Sequence, residues 1–169
     1  MKWQAKSILN SISDLDFSDT NLLNTPELKA YEQFYNLDFH ITNEDVTHLM
    51  GCIYAASFKI VCHVFSLPDP KGTVFLQHGY YDHVGLYKHA IKDWLTQGYN
   101  VFSYDLPGHG LSSGDRAGIE SFDQYDDVFS EGLSQIQKNM PGPIIAIGQS
   151  TGGAIITNYL LSRCLTDRT

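Results

Sequence analysis

The sequence predicts an α/β protein built on a mostly parallel sheet, and two observations carry this prediction. From about residue 73 onward, short apolar runs alternate with segments of helical periodicity, at a spacing typical of right-handed β-α-β crossovers. Three of the apolar runs lead directly into glycine-bearing motifs, and the carboxyl ends of parallel strands are where such sheets bind ligands. With 169 residues, 43% of them hydrophobic and 18% charged, the chain has the composition of a globular domain.

Residues 1–45 are predicted to form a mostly helical leader, and residues 46–169 the sheet domain. Within the leader, Thr25-Pro26-Glu27 is typical of a helix start, with a capping hydroxyl, a proline at the first helical position and an acid in the first turn. The apolar positions that follow recur at helical spacing and predict one buried face. They are Leu28, Tyr31, Phe34 and Tyr35.

Two strands and then an alternation of strands and helices follow the leader. Residues 47–55 and 58–66 are rich in β-branched and aromatic side chains, which predicts an N-terminal antiparallel hairpin. Residues 66–72 have the composition of a turn. The alternating elements are then predicted as strand 73–77, helix 86–96, strand 99–104, helix 121–138, strand 143–147 and a last helix that includes residues 153–161.

Charge and cysteine usage exclude several classes of function. The formal net charge of −8 argues against binding to nucleic acid and against electrostatic attraction to anionic lipid surfaces. Cys52, Cys62 and Cys164 have no framework spacing and are expected to be reduced thiols. No segment has the pattern of a secretory signal or approaches the roughly 18 apolar residues of a membrane span. We therefore expect a cytoplasmic protein, with peripheral membrane contact left open.

The most informative motif is Gly148-Gln149-Ser150-Thr151-Gly152, which stands between the apolar strand 143–147 and the last predicted helix. A strand-to-helix turn this tight leaves no room for a Cβ at either glycine. It lifts the serine hydroxyl above the edge of the sheet, at the positive end of the helix. Ser150 is therefore the candidate nucleophile. The alternative is a serine that only caps the helix after a glycine turn.

Two other motifs follow neighbouring strands. His78-Gly79 comes directly after strand 73–77, and a glycine there lets the backbone turn sharply and direct its amides inward. The second motif is the loop 105–112, which follows strand 99–104, begins with Asp105 and contains His109.

These three motifs, in this order and spacing, resemble the monoacylglycerol lipase and lysophospholipase branch of the α/β-hydrolases, over roughly residues 35–165. The run from Gly79 to Tyr87, which contains Asp82-His83, is especially similar to bacterial lysophospholipases. The resemblance implies an α/β-hydrolase fold and a serine hydrolase. Its substrates would be acyl esters of the lysophospholipid or monoacylglycerol type, cleaved through an acyl-enzyme on Ser150.

The resemblance also implies roles for other groups of the site. The backbone N–H groups of Tyr80 and Thr151 would form the oxyanion hole. Asp105 and His109 would shape the loop beside the site and would not transfer protons. The full set of residues expected to support the motifs is His78, Gly79, Gly148, Gly152, Asp105 and His109.

No cofactor and no metal ion are predicted. Serine hydrolysis needs no cofactor, and the sequence has neither a dinucleotide-binding glycine motif nor a Walker lysine. The histidines that precede Ser150 lack the spacing of a metal site. Tyr80, Tyr81 and Tyr87 are expected to pack under the loop, the alternative being that they line an acyl pocket.

The triad acid and histidine follow the serine along the chain in this fold, yet residues 151–169 include Asp167 and no histidine. We therefore expect the N-terminal portion of a longer enzyme, truncated after the elbow helix, whose missing C-terminal part supplies the acid, the base and the lid. Strand 143–147 would be a sheet edge, and the chain alone would be nearly inactive. The alternative is a truncated, non-catalytic hydrolase-like protein that binds an acyl ligand or a partner. A weaker alternative is an acyltransferase or peptidase that uses the same elbow.

Overall fold

The computed structural model describes residues 4–18 and 25–166, with side chains through residue 163. The helices are α1 (Ala5–Ser11), α2 (Pro26–Tyr35), α3 (Lys88–Thr96), α4 (Asp123–Asn139) and α5 (Thr151–Thr166). The strands are β1 (Thr47–Ala55), β2 (Phe58–Ser66), β3 (Thr73–Gln77), β4 (Asn100–Tyr104) and β5 (Ile144–Gly148). Short 3₁₀ turns occupy Phe39–Ile41 and Val84–Tyr87.

The strands form one sheet in the order β1-β2-β4-β3-β5. Strand β3 lies between β4 and β5 and pairs with both in parallel. Strand β2 pairs with β1 and with β4 in antiparallel fashion. The predicted hairpin is therefore present, with the predicted bounds, and it joins the parallel part of the sheet through β2. The predicted α/β class is confirmed.

Both faces of the sheet are covered by helices. Successive residues of a strand point to opposite faces, so Val74 and Val101 join the core residues of α2 and α3, whereas Phe75 and Phe102 join those of α4. All five residues of β3 and all five of β4 are buried. The loops that follow these two strands therefore start from the centre of the core.

Helix α2 begins where the sequence predicts and packs on the sheet. Thr25 Oγ1 accepts a hydrogen bond from Leu28 N at 3.3 Å, which caps the helix. Leu28 and Tyr31 are buried, but Phe34, predicted for the same face, is 64% exposed. With 3.6 residues per turn, Phe34 lies about 100° around the helix from Tyr35. The buried stripe is therefore narrower than predicted and leaves Phe34 out.

Cys52 and Cys62 are free, buried thiols, and the side chain of Cys164 lies outside the described part. The hairpin register sets Cys52 opposite Val61 and Cys62 opposite Gly51, so the two thiols point to opposite faces of the sheet. In the described part of the chain, no helix is long and apolar enough to cross a membrane.

Strand β5 forms one end of the sheet, as the sequence predicts for strand 143–147. Within the described residues it pairs with β3 alone. Its isoleucines are only half-buried and Ala146 is exposed, in contrast to the fully buried β3 and β4. On the helix that follows, Leu160 and Leu161 are 56% and 59% exposed. Among the described residues, the β5 end is therefore an open flank of the sheet with exposed apolar side chains.

A buried chain of hydrogen bonds ties α2 to the hairpin. Glu32 Oε1 lies 2.8 Å from His48 Nδ1, and His48 Nε2 lies 3.1 Å from His63 Nδ1. Burial lowers the pKa of His48 and of His63 to about 3 each, so both rings are neutral at pH 7. Burial raises the pKa of the Glu32 carboxyl to about 7.

These shifts predict that the protein loses stability in acid. Below pH 6.5 the unfolded chain protonates both imidazoles, whereas the folded chain keeps them neutral until about pH 3. Glu32 acts in the opposite direction between pH 4.5 and about 7, where the folded chain holds the extra proton. For these three groups the net uptake on unfolding between pH 4.5 and 6.5 is about one proton, so together they lower the free energy of unfolding by about 1.4 kcal/mol per pH unit as the pH falls.

The variant His63→Phe tests this prediction. A phenyl ring keeps the stack in which His63 lies 5.9 Å from Tyr31 and 5.3 Å from His48, centre to centre, but it cannot take up a proton. Urea unfolding at several pH values between 4.5 and 6.5 should give a slope lower by about one proton than in the parent. Equal slopes for parent and variant would show that His63 is already protonated in the fold.

Candidate active site

Ser150 stands on the sharp turn between β5 and α5. Its backbone lies in the left-handed region, at φ +52°, a conformation that costs an L-residue on the order of 1–2 kcal/mol. The turn is closed by hydrogen bonds from Gly152 N to Gln149 O at 2.9 Å and from Ala154 N to Ser150 O at 3.0 Å. Ser150 is exposed and stands where the dipole of α5 favours negative charge. This is the geometry of a nucleophile elbow.

The two flanking glycines are required by close approaches of the backbone. A Cβ on Gly152 would lie 2.6 Å from Gln77 O and 2.8 Å from His78 O. A Cβ on Gly148 would overlap the backbone of Gly152 and Gly153. The elbow therefore packs directly against the carboxyl end of β3, and the loop after β3 is brought to the serine.

The His78-Gly79 loop lies beside the elbow. A Cβ on Gly79 would overlap the side-chain oxygen of Gln149. The Tyr87 hydroxyl joins the two segments, because it accepts a hydrogen bond from Gly79 N at 3.1 Å and lies 2.9 Å from Asp82 Oδ2 and 3.1 Å from Gln149 Oε1. The single hydroxyl proton of Tyr87 can be donated to Asp82 Oδ2 or to Gln149 Oε1, but not to both at once.

The part played by Tyr87 is the main feature of the site that the sequence does not reveal. The sequence predicts packing for this residue. Its ring does pack against the core, and its hydroxyl in addition bridges groups that are 8 and 62 residues away in the chain. No local pattern encodes such a bridge. The sequence holds one weak signal for this bridging role, namely an aromatic residue that follows the glycine motif and stands at the start of a helix.

The two predicted oxyanion donors flank this bridge. Thr151 is the first residue of α5, so its N–H has no partner within the helix. Among residues 4–18 and 25–166, none accepts a hydrogen bond from the N–H of Tyr80. The Tyr80 side chain is held elsewhere, since its hydroxyl donates to Ala117 O at 2.7 Å. The oxyanion role of these two N–H groups stays a prediction.

His78 is buried, and both of its ring nitrogens are engaged. Nδ1 donates to Gly79 O at 2.7 Å and Nε2 accepts from Leu106 N at 2.8 Å, which assigns the neutral tautomer with the proton on Nδ1. Burial lowers the pKa of His78. His78 therefore fastens the loop after β3 to the loop after β4 and has no free nitrogen to accept a proton from Ser150.

His109 fills the space between the same two loops. Its Nδ1 lies 2.8 Å from Pro107 O, and its ring centre lies 5.6 Å from that of His78 and 5.4 Å from that of Tyr80. The remaining nitrogen, Nε2, is shielded from solvent and has no hydrogen-bond partner among the described residues. In this arrangement the shielded Nε2 of His109 is not available to act as a base.

Asp105 is fully buried at the end of β4. Its two carboxylate oxygens accept hydrogen bonds from the backbone, Oδ1 from Val84 N at 2.8 Å and Oδ2 from Leu111 N at 2.7 Å. Its own carbonyl accepts from Ser112 Oγ at 2.6 Å. Asp105 therefore joins the 3₁₀ turn 84–87 to the loop after β4, and both of its oxygens are occupied by the fold.

A cavity of about 410 Å³ opens between the loop after β3 and the loop after β4. Its lining includes Tyr81, Asp82, His83, His109, Ser112 and Arg116. Within the described ranges, no three side chains of His, Cys, Asp or Glu are grouped so that they could hold a metal ion. The cavity offers polar contacts of both signs beside residues 78–82, the loop after β3 that carries the predicted oxyanion donor Tyr80 and is named the oxyanion loop for it.

Comparison with known proteins identifies the family. A family model described as serine aminopeptidase S33, a hydrolase family, matches residues 68–166, more than half of the chain. The chain belongs to this family of α/β-hydrolases. The match begins just before β3 and ends with α5, so it contains all three motifs of the site.

Several curated proteins similar to this α/β-hydrolase are named as lipases or phospholipases. The monoacylglycerol lipase of Mycolicibacterium smegmatis is 34% identical over 92 residues, covering 54% of this chain and 33% of that protein. Human monoglyceride lipase is 33% identical over 117 residues, covering 68% and 38%. Phospholipase YtpA of Bacillus subtilis is 30% identical over 91 residues, covering 54% and 35%. The hydrolase spans about a third of the length of the curated relatives it matches.

Solved structures agree with this assignment of the hydrolase. The monoacylglycerol lipase of Paleococcus ferrophilus superposes with a TM-score of 0.54 at 28% identity, over 62% of this chain and 38% of that chain. The Est1E protein of Butyrivibrio proteoclasticus superposes with a TM-score of 0.55 at 18% identity, over 64% and 45%. The predicted α/β-hydrolase fold and the resemblance to the monoacylglycerol lipase branch are confirmed.

Proposed function

We propose that the protein is a serine ester hydrolase in which Ser150 attacks acyl esters of the monoacylglycerol or lysophospholipid type. The observation that carries the proposal is the elbow: Ser150 at φ +52°, exposed between β5 and α5, with Gly152 against the carboxyl end of β3. The names of the relatives, monoglyceride lipases and a phospholipase, support lipid esters as the substrate class.

The proposed reaction has two steps on the serine oxygen. Ser150 Oγ gives its proton to a base and forms a bond to the carbonyl carbon of the ester. The bond between that carbon and the alcohol oxygen of the glycerol part then breaks, and this oxygen takes up the proton. Water next attacks the acyl-enzyme, releases the fatty acid and restores the serine. The negative charge on the carbonyl oxygen in each step would be held by the N–H groups of Tyr80 and Thr151. Each such donor is worth about 3–4 kcal/mol of transition-state stabilisation.

The base and its acid are proposed to come from polypeptide outside the described residues, packed at the β5 end of the sheet. Two observations support this. Both nitrogens of His78 are engaged, and the free nitrogen of His109 is shielded. The half-buried isoleucines of β5 and the exposed Leu160 and Leu161 leave an apolar flank beside the serine. Without a base, a serine is a weak nucleophile at neutral pH.

We also propose that the enzyme is cytoplasmic and contacts lipid surfaces peripherally. The buried free thiols Cys52 and Cys62 support a cytoplasmic location. Tyr81 and Leu86, which are 70% and 55% exposed near the oxyanion loop, support the lipid contact. The polar cavity between the two loops is the proposed place for the alcohol part of the substrate.

The test is a comparison of three substrates with the protein and with Ser150→Ala. Monooleoylglycerol, lysophosphatidylcholine and an aminoacyl p-nitroanilide are each incubated with both, and fatty acid or p-nitroaniline is measured. We expect slow release of fatty acid from a lipid ester, lost in Ser150→Ala, and no p-nitroaniline. Equal release by the variant, or release of p-nitroaniline alone, would contradict the proposal. Binding of the lipid without release would favour a non-catalytic hydrolase-like protein.

A further inference from the structure

Helix α2 lies outside the residues that the family model matches, yet its last residue contacts the segment that follows the oxyanion loop. A Cβ on Gly85 would lie 2.7 Å from two ring atoms of Tyr35. The Tyr35 ring centre is also 4.8 Å from that of His83, with the planes at 77°. The ring of Tyr35 therefore packs on the backbone at Gly85 and on the side chain of His83.

The contacted segment is tied to the candidate oxyanion hole. In the 3₁₀ turn Val84–Tyr87, Gly85 N donates to His83 Nδ1 at 3.2 Å and Leu86 N donates to His83 O at 3.1 Å. The turn ends at Tyr87, whose hydroxyl accepts from Gly79 N at 3.1 Å. A displacement of the turn would move Tyr87 and so release the peptide that precedes Tyr80.

Helix α2 is itself firmly held, so it can fix what it touches. The buried hydrogen bonds from Glu32 through His48 to His63 tie the helix to both strands of the hairpin. Tyr31, one turn before Tyr35, is buried and stacks on His63 at 5.9 Å. The C-cap residue Asn36 lies in the left-handed region, at φ +55°, and Leu37 N donates back to Glu32 O at 2.9 Å.

We propose that Tyr35 is a positioning residue for the candidate oxyanion hole. Its ring, delivered by α2, fixes the 3₁₀ turn at Gly85, and through Tyr87 it fixes the Gly79–Tyr80 backbone beside Ser150. The catalytic meaning of this role rests on the proposed function, whereas the effect on the loop does not. The leader helix is thereby a working part of the site and not only a cover for one face of the sheet.

Hydrogen exchange of the full chain, followed by mass spectrometry, tests the loop directly. The relevant amides are those of Gly79, Asp82, Val84, Gly85 and Leu86, each of which donates a hydrogen bond. In Tyr35→Ala we expect peptides covering residues 79–86 to exchange about tenfold faster or more, with exchange in β3 and β4 unchanged. Tyr35→Phe, which keeps the ring, and Gln33→Ala, at an exposed position of the same helix, should behave like the parent.

A second variant approaches the contact from the other side. Gly85→Ala places a methyl group against the Tyr35 ring and should accelerate exchange in the same peptides, so the test does not depend on the folding of Tyr35→Ala. Unchanged exchange of residues 79–86 in both variants would overturn the proposal. So would acceleration spread equally over β3 and β4, because that pattern indicates a general loss of stability.

Fluorophosphonate labelling of Ser150 separates this inference from the proposed function. With the turn released, the labelling rate of Tyr35→Ala should fall about tenfold, and Tyr35→Phe should restore it. Failure of the parent protein to label would contradict the proposed function and leave the exchange result to decide the role of Tyr35. If the parent labels and Tyr35→Ala labels at the same rate, the positioning role of Tyr35 is overturned.

Discussion

Gly152→Ala is expected to destabilise the protein by about 3 kcal/mol, because its methyl group has no room. The added Cβ would lie 2.6 Å from Gln77 O, 2.8 Å from Gln77 Cβ and 2.8 Å from His78 O. Gln77 is the last residue of β3, which is paired on both sides by β4 and β5, and His78 follows it directly. This backbone therefore cannot move away from the added methyl group. The elbow would have to open, so Ser150 would also lose its position beside the oxyanion loop.

The matched control is Gly153→Ala, one residue further along α5. There the nearest atom to an added Cβ is Gly148 O at 3.3 Å, and alanine in a helix is favoured over glycine by up to about 1 kcal/mol. We expect its free energy of unfolding, measured in urea, to stay within about 1 kcal/mol of the parent. If the two substitutions cost the same, crowding at the elbow is not the cause.

Asp105→Ala is expected to cost about 3–6 kcal/mol of unfolding free energy, the sum of two lost hydrogen bonds to a buried carboxylate. The substitution leaves the buried N–H groups of Val84 and Leu111 without the oxygens that now accept from them at 2.8 Å and 2.7 Å. Hydrogen bonds to a charged group contribute about 1.5–3 kcal/mol each, and a buried donor without a partner adds its desolvation cost.

Asp105→Asn is the matched control, because it keeps the size of the side chain and one of the two acceptor oxygens. Its loss of unfolding free energy should lie between zero and the loss in Asp105→Ala. Only one of the Val84 and Leu111 amides should exchange faster than in the parent. Urea unfolding gives the two free energies, and hydrogen exchange identifies the released amide. A loss below about 1 kcal/mol in Asp105→Ala would mean that water or a rearranged loop replaces the carboxylate.

The parts of the fold that local patterns encode could be predicted from the sequence. The hairpin bounds follow from runs of β-branched and aromatic residues between turn residues, and they agree with β1 and β2. The elbow could be predicted because its constraint is local: a glycine two residues before and two after Ser150 is what the tight turn demands. Strand β5, predicted as 143–147, lies one residue later at Ile144–Gly148.

The contacts that hold the site together could not be predicted in the same way. The chain from Glu32 to His48 to His63 joins residues 16 and 15 positions apart, and each of these residues would be ordinary on an exposed surface. The packing of Tyr35 on Gly85 depends on how α2 sits on the sheet, which the periodicity of the helix does not specify. Sequence patterns determine elements and tight turns, whereas contacts between distant elements depend on how these elements pack.

Helix α2 lies before the family match, which begins at residue 68. A protein cut at residue 68 would therefore retain all three motifs. It would lose Tyr35, Glu32 and both members of the buried pair His48 and His63. If Tyr35 positions the oxyanion loop, that loop would be loose in such a protein even though every motif is present.

Whether Ser150 is the nucleophile of an ester hydrolase is decided by the intact mass of the 169-residue protein after exposure to a fluorophosphonate, beside Ser150→Ala. We expect one adduct on the folded protein, formed slowly because neither His78 nor His109 is available as a base, and none on Ser150→Ala. A folded protein that gains no adduct, or a variant that labels as readily as the parent, would contradict this assignment of Ser150.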